Sequence, residues 1–222
     1  RNRMNYRLSA IFFVTSFGIA CTSSALMIDA FDGNHFVSSP TNEQHLANVL
    51  GGERDLHNYW DGSSLAIENG FLTVRAEEFR EGWLIYDGID NSSLRDTDGL
   101  GGIDLTQKGS LNSFALNIFS ANADYNIRIW VYDNSGSSFI YQSPTLGVAD
   151  KQIIVPFSDF PGGADFEEVG LILLNFENEG SINLEVVASS FEIIPEPGTL
   201  PLVGIGIAVI YIRRLKRNKL SR

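Results

Sequence analysis

The chain has 222 residues and a formal net charge of -11, a length that suits one domain with short appendages. With 44% hydrophobic and 19% charged residues, it is not a disordered polyelectrolyte. The acidic balance argues against nucleic acid as a partner, because a phosphate backbone requires a basic surface.

The charge is segregated along the chain. Residues 1–25 carry a net charge of +3, residues 195–222 carry +5, and residues 26–194 carry -19. We therefore expect an acidic body, 26–194, between two short segments that are both basic and apolar.

The first 25 residues have the pattern of a signal peptide. Arg7 supplies the positive n-region behind Met4, which we take as the initiator, and Leu8–Ala20 is the apolar h-region. This run is shorter than the ~20 residues of a comfortable membrane span. Small residues lead up to position 25, so we predict cleavage between Ala25 and Leu26. The alternative is a buried N-terminal helix.

Cys21 is the only cysteine. The stretch Gly18-Ile19-Ala20-Cys21 leaves a second reading open, in which Cys21 is lipidated. Cleavage after Ala25 instead removes Cys21 and leaves a mature protein without disulfides, thiolate catalysis or cysteine metal sites.

The acidic body reads as short β-prone runs separated by Gly, Asn, Asp and Ser turns. Glu43–Leu50 is the one stretch in which we expect a helical turn or two. The predicted strands are Leu65–Ile67, Phe71–Ala76, Trp83–Tyr86, Ser113–Phe119, Tyr125–Tyr132, Ser138–Gln142, Gln152–Pro156, Val169–Phe176 and Ile182–Ile193.

Three of these strands indicate how the sheets are covered. In 125–133 the residues Ile127, Ile129 and Val131 alternate with polar and aromatic residues, which predicts one core-facing side. The run 171–174 is apolar on both sides, so we expect it to be covered on both faces, and Pro156 suits a strand end or sheet edge. The pattern predicts an all-β, two-sheet sandwich.

Three stretches of the body resemble exported jelly-roll domains related to carbohydrate-binding modules. They are Leu50–Leu56 (LGGERDL), Leu100–Thr106 (LGGIDLT), and Phe157–Phe160 together with Asp165–Gly170. The resemblance implies a jelly-roll fold more than a particular ligand.

An enzyme is not expected. His35, His45 and His57 have spacings that fit no local zinc motif, and the chain has no Gly-x-Ser-x-Gly nucleophile elbow. Calcium is a more suitable cofactor, because Asp87, Asp90, Asp96 and Asp98 lie on loops dense in oxygen ligands. The alternative is ordinary turn chemistry, in which each Asp caps its own loop.

The polar side of the 125–133 strand is a candidate glycan-binding face. Arg128, Trp130 and Tyr132 project from it together, and an aromatic ring can stack on a sugar while polar neighbours bind its hydroxyls. We also expect Asn117 to contribute from a neighbouring strand. The alternative is that a loop covers Trp130 and Tyr132 as a second small core; Tyr59, Trp60 and Trp83 are further aromatic candidates.

The C-terminal segment has three parts in order. Pro195-Glu196-Pro197 precedes an apolar run, Leu200–Ile212, which is short for a bilayer span. A basic cluster follows, and by the positive-inside rule it stays cytoplasmic while the body lies outside. Its members are Arg213, Arg214, Lys216, Arg217 and Lys219.

This tail resembles the PEP-CTERM sorting signal of Gram-negative bacteria, with Gly198 and Pro201 as departures in detail. The resemblance implies processing by an exosortase, passage through the inner membrane, and a producer of exopolysaccharide or biofilm matrix. An ordinary single-span anchor is the alternative, and it would keep its tail. We therefore expect an exported cell-surface or matrix protein, with a carbohydrate-binding module or a calcium-dependent adhesin as alternatives.

Overall fold

The structure is a computed structural model that describes residues 24–195 except 38–40, 46–47, 59–62, 78–80, 91–93, 136–137, 148–150 and 179–182, with the backbone alone at 41–45. Several predicted features lie outside these residues: the apolar part of the signal peptide, Glu196 and Pro197, the apolar and basic tail, and the Tyr59–Trp60 pair. Within the described ranges, no helix is both long and apolar enough to span a bilayer.

Thirteen strands of the described chain form two antiparallel sheets that face each other across one core. The seven-stranded sheet A contains β1 (Leu26–Asp29), β2 (His35–Val37), β5 (Ser63–Glu68), β6 (Phe71–Ala76), β8 (Ser113–Ala121), β11 (Gln152–Pro156) and β13 (Leu184–Ile194). The six-stranded sheet B contains β3 (Thr41–His45), β4 (Glu53–His57), β7 (Glu81–Tyr86), β9 (Asn126–Asp133), β10 (Ser138–Gln142) and β12 (Val169–Glu177). The predicted all-β, two-sheet jelly roll is confirmed.

Sheet A runs in the order β11-β8-β13-β6-β5-β2, and sheet B in the order β10-β9-β12-β7-β4-β3. Strand β13 has two neighbours on one side, because β6 pairs with its first half and β1 with its second. Two short 3-10 turns, Leu50–Gly52 and Phe157–Asp159, complete the described secondary structure.

Each of the nine predicted strand segments corresponds to one of β5–β13; the predicted segments 125–132 and 182–193 begin one and two residues before β9 and β13. Ile127, Ile129 and Val131 of β9 face the core as predicted, and each is at most 1% exposed. Strand β12 is covered on both faces, since Ile172 and Leu174 join the main core while Leu171 and Leu173 join a smaller cluster outside. Strand β11, which ends at Pro156, is an edge of sheet A.

The strands before residue 58 were not predicted, and the expected helical turns over Glu43–Leu50 are wrong. Residues 41–45 form strand β3, which pairs with β4, and the described residues after 47 form a 3-10 turn at 50–52. Both strands are polar in sequence, so neither shows the apolar alternation that marks a strand.

Strand β4 is polar because it contributes a buried ion pair. Arg54 Nη1 donates to both carboxylate oxygens of Asp29, at 2.9 and 2.8 Å, and both side chains are fully buried. The Tyr86 hydroxyl and the Phe31 N–H donate to the same carboxylate, at 3.1 and 2.7 Å. These bonds offset part of the desolvation, although burial still raises the pKa of Asp29, and they join β1, β4 and β7 across the two sheets.

Two glycine-rich loops pack against each other at one end of the sandwich. Gly51 has a φ of +79°, and a β-carbon there would lie 2.5 Å from a methyl carbon of Leu100. A β-carbon on Gly99 would lie 1.6 Å from the carbonyl oxygen of Asp87. Glycine is therefore required for steric reasons at both places, and the 94–103 segment is held close to the end of β7.

Candidate functional site

The outer face of sheet B carries three of the predicted glycan-binding residues. Arg128, Trp130 and Tyr132 alternate with the core residues of β9, so their side chains point away from the core, and all three are half-buried. We call this trio the sheet B platform. Its strand lies between β10 and β12, so neighbouring strands support it on both sides.

The aromatic part of the platform rests on a second apolar cluster. Trp130 packs against Trp83 of β7 with ring centroids 4.6 Å apart, above the β12 strand that lies between them. Trp83, Ile85, Leu171 and Leu173 are buried in this cluster, and Trp130 and Tyr132 pack on it while keeping part of their surface exposed. A second small core is thus present beneath the platform rings, but Trp130 and Tyr132 are not fully covered as the alternative reading required.

A charged group closes one end of the platform. The Arg128 guanidinium lies 2.5 Å from a carboxylate oxygen of Glu177 and 3.7 Å from one of Glu81. These three side chains are 20–24% exposed, and Asn175 donates to the Gly82 carbonyl beside them at 3.2 Å. Hydrogen-bonding groups held in fixed positions therefore adjoin a half-exposed indole ring.

Asn117 does not belong to this site, and the prediction that it neighbours the platform is wrong. It lies on β8 in sheet A, on the opposite side of the sandwich. There its amide donates to Ser190 and Glu192, at 2.8 Å each, and accepts a bond from Gln152. The chain changes sheets between β8 and β9, which sequence proximity alone did not indicate.

Trp83 is covered from outside by a loop. It is 6% exposed, and the Arg95 guanidinium lies over its ring at 5.3 Å from the centroid. His57 of the neighbouring strand β4 lies opposite Trp83. Burial lowers the pKa of His57, and the charge of Arg95 makes a smaller contribution in the same direction. Trp83 therefore supports the platform from below and presents little surface of its own.

The four predicted calcium ligands differ in their surroundings. Asp87 is fully buried, whereas Asp96 and Asp98 are exposed. One carboxylate oxygen of Asp87 accepts the Asp96 N–H at 2.9 Å, while the other, Oδ1, has no hydrogen-bond partner among the described residues. Burial, followed by the nearby Asp90 and Glu53 charges, raises the pKa of Asp87 to about 7.

Of the other predicted ligands, Asp96 makes the turn contact that was the alternative reading, whereas Asp90 and Asp98 take part through their backbone N–H groups. Asp96 Oδ1 accepts the Asp98 N–H at 3.0 Å, and Glu53 accepts the Asp90 N–H at 3.2 Å. In the described part of the chain, no three His, Cys, Asp or Glu side chains are grouped so that they could hold a metal ion.

The two ends of the described chain lie side by side. Leu26, which would follow the predicted signal cleavage, pairs with Ile193, and Met27 pairs with Glu192. Pro195, the first residue of the predicted sorting triplet, comes directly after β13. Both predicted processing sites therefore lie at the same end of β13.

The architecture is thus an antiparallel β-sandwich with a half-exposed aromatic platform, ahead of a Pro-Glu-Pro segment. Residues 194–217 match the PEP-CTERM protein-sorting motif, so the chain carries this sorting signal where the sequence predicted it. A search of curated proteins finds no match.

Solved structures with a similar shape include several carbohydrate-binding modules. The family 30 module of cellulosomal cellulase Cel9D-Cel44B of Clostridium thermocellum has a TM-score of 0.42 at 17% identity, over 79% of this chain and 100% of that one. The family 11 module of Lic26A-Cel5E from the same organism has a TM-score of 0.37 at 16% identity, over 78% and 95%. PfGH50B has a TM-score of 0.47 at 9% identity, and the match covers 64% of this chain but only 23% of PfGH50B.

Proposed function

We propose that this is an exported surface or matrix protein, delivered through its PEP-CTERM signal, whose β-sandwich binds a neutral polysaccharide without catalysing a reaction. The observation that carries the binding proposal is the sheet B platform. It combines a half-exposed indole, Trp130, with the Arg128–Glu177 ion pair on one rigid sheet face.

The chemistry of the platform suits a sugar ring. A pyranose has an apolar C–H face that stacks on an indole, and hydroxyl groups at its rim that need donors and acceptors. Arg128, Glu81 and Glu177 supply both kinds of group, and their charges partly offset one another. Trp130 is already held by Trp83, so little side-chain entropy is lost on binding.

The charge of the body favours a neutral ligand. Residues 26–194 carry a net charge of -19, which repels uronate-rich polymers. An uncharged exopolysaccharide experiences no such repulsion. We therefore expect binding of neutral glycans to depend only weakly on salt, and binding of acidic glycans to require high salt or divalent cations.

Substitution of Trp130 tests the binding proposal. The purified protein should be retained by a neutral polysaccharide in a pull-down, Trp130→Ala should weaken this at least tenfold, and Trp130→Phe should keep part of the affinity because a ring remains. Unchanged retention of a folded Trp130→Ala protein would refute binding at the platform.

The sorting part of the proposal has a separate test. Exosortase processing near Pro195–Pro197 would remove the apolar and basic tail, whereas an anchor would keep it. Intact-mass measurement of protein released from the producing cells should give a chain that ends near this triplet. Recovery of the tail through Arg222 on the mature protein would contradict sorting by this route.

A second candidate is calcium-dependent adhesion, favoured by one observation. Within the described ranges, Oδ1 of Asp87 is buried without a hydrogen-bond partner, and Asp90 and Glu53 lie close enough to raise the pKa of Asp87. A bound Ca²⁺ would compensate this charge and strengthen the loop. Millimolar Ca²⁺ should then raise the melting temperature and chelator should reverse the effect, and neither change should occur in Asp87→Asn.

A further inference from the structure

The outer face of sheet A, opposite the platform, has an aromatic groove of its own. Phe71 of β6 and Phe119 of β8 meet above β13 with ring centroids 5.1 Å apart and an interplanar angle of 59°. Phe119 is 62% exposed, an unusual position for a large ring on an internal strand.

The surroundings of these two rings form a shallow depression that is open to solvent on the surface of sheet A. The groove has a volume of about 390 Å³, within the range of roughly 300–1,000 Å³ that is common for ligand sites. Val187 forms its floor between the two rings, while Thr73, Ser120 and Asn69 place hydroxyl and amide groups around it. The groove therefore combines stacking surface with hydroxyl and amide groups and with one carboxylate, that of Glu68, at its margin.

A second, polar groove continues along the same two strands. Arg75 and Glu185 pair at 2.6 Å on the same sheet face as Thr73 and Val187, and Asn122 bonds the Glu185 backbone beside them. This groove has a volume of about 270 Å³. Because residues 71 and 75 are four apart on one strand, the two grooves together extend over about 13 Å.

The strand positions limit what kind of molecule binds here. Strands β6, β8 and β13 are internal, so their backbone groups are already paired within sheet A and offer no edge to an added peptide strand. Recognition must use side chains. Arg75 and Glu185 neutralise each other, so the grooves contain no uncompensated positive charge for an anionic ligand. A second copy of the chain is disfavoured as the occupant, because its body also carries a net charge of -19 and the two bodies would repel each other.

We propose that these two grooves form a second saccharide-binding site, in which a neutral oligosaccharide stacks on Phe71 and Phe119 and continues along the Arg75–Glu185 pair. The site lies on the face of the sandwich opposite the sheet B platform. A protein with two such faces holds two polysaccharide strands at once and cross-links them, which gives it a structural role in a matrix. Only the cross-linking part rests on the proposed function.

Titration calorimetry with cellohexaose, laminarihexaose and mannohexaose tests this site. The purified protein should bind one of these with a stoichiometry of two. Phe119→Ala and the groove-filling Thr73→Arg should each reduce the stoichiometry to one, as should Trp130→Ala at the platform. Phe36→Ala is a matched control, because Phe36 is an exposed phenylalanine on the same face of sheet A but outside both grooves.

The outcomes separate the two sites. A single site that Trp130→Ala abolishes, and that Phe119→Ala and Thr73→Arg leave intact, would overturn the sheet A proposal and keep the platform. A single site that Phe119→Ala and Thr73→Arg abolish, and that Trp130→Ala leaves intact, would overturn the platform proposal alone. If none of the three hexasaccharides binds at millimolar concentration, both proposals fail.

Discussion

Replacing Asp87 by Asn should remove a pH-dependent loss of stability that the folded structure imposes. Asp87 is fully buried at the start of the loop that leads to Asp96, and burial raises its pKa from 3.8 to about 7. Between these two values the folded protein holds a proton that the unfolded chain has released. The free energy of unfolding therefore falls as pH rises from about 4 to about 7, and it levels off above 7.

The size of the effect follows from the pKa difference. Each pH unit between the two pKa values contributes about 1.4 kcal/mol, so the whole range contributes up to about 4 kcal/mol. Asparagine cannot ionise, yet its side-chain oxygen can still accept the Asp96 N–H that Asp87 accepts at 2.9 Å. Near pH 4 we expect the free energy of unfolding of Asp87→Asn to be close to that of the natural protein. At pH 8 we expect the variant to be more stable by several kcal/mol.

Urea unfolding at pH 4, 5, 6, 7 and 8, followed by tryptophan fluorescence, measures this difference. Chelator in every sample separates the proton effect from any bound calcium. The difference between the two proteins should grow by about 2–3 kcal/mol between pH 5 and pH 7. If the two curves run parallel over this range, Asp87 is ionised in the folded state at pH 5 and the reasoning from its burial is wrong.

Two further predictions concern the core and the loops. Arg54→Met should destabilise the protein by about 3–5 kcal/mol, because it leaves Asp29 buried without its cation, and Asp29→Asn added to it should recover part of the loss in urea unfolding. Gly51→Ala and Gly70→Ala share a φ near +80°, but only Gly51 is crowded. Backbone strain should lower the free energy of unfolding of each variant by about 1–2 kcal/mol, and Gly51→Ala should lose more because its new methyl group would clash with Leu100. Equal losses would contradict the packing argument.

The second half of the sandwich was predicted well from the sequence, because its strands show their burial in the local pattern of apolar residues. Ile127, Ile129 and Val131 alternate, and the 171–174 run is apolar throughout, so burial on one or both faces follows from periodicity alone. Strand β4 gave no such signal, because the partner that allows Arg54 to be buried is Asp29, 25 residues earlier. Polar strands stabilised by distant charges are not recognisable from local pattern.

The candidate site shows the same limit. That Arg128, Trp130 and Tyr132 share one face was predictable from the two-residue period of a strand. That Trp83 lies under Trp130 was not, because the contact is between β7 and β9, across β12. The Phe71–Phe119 groove was missed for the same reason: its two rings come from strands that are separated in sequence and meet only above β13.

The central position of β13 sets the order of events during export. This strand follows the other twelve described strands in the chain, yet β1, β6 and β8 all pair with it. Sheet A therefore lacks its central strand until the chain has crossed the membrane up to residue 194. Pairings such as Leu26 with Ile193 span most of the body, which makes folding slow. We therefore expect sheet A to be completed only when the chain has been exported up to the sorting segment at 194–217.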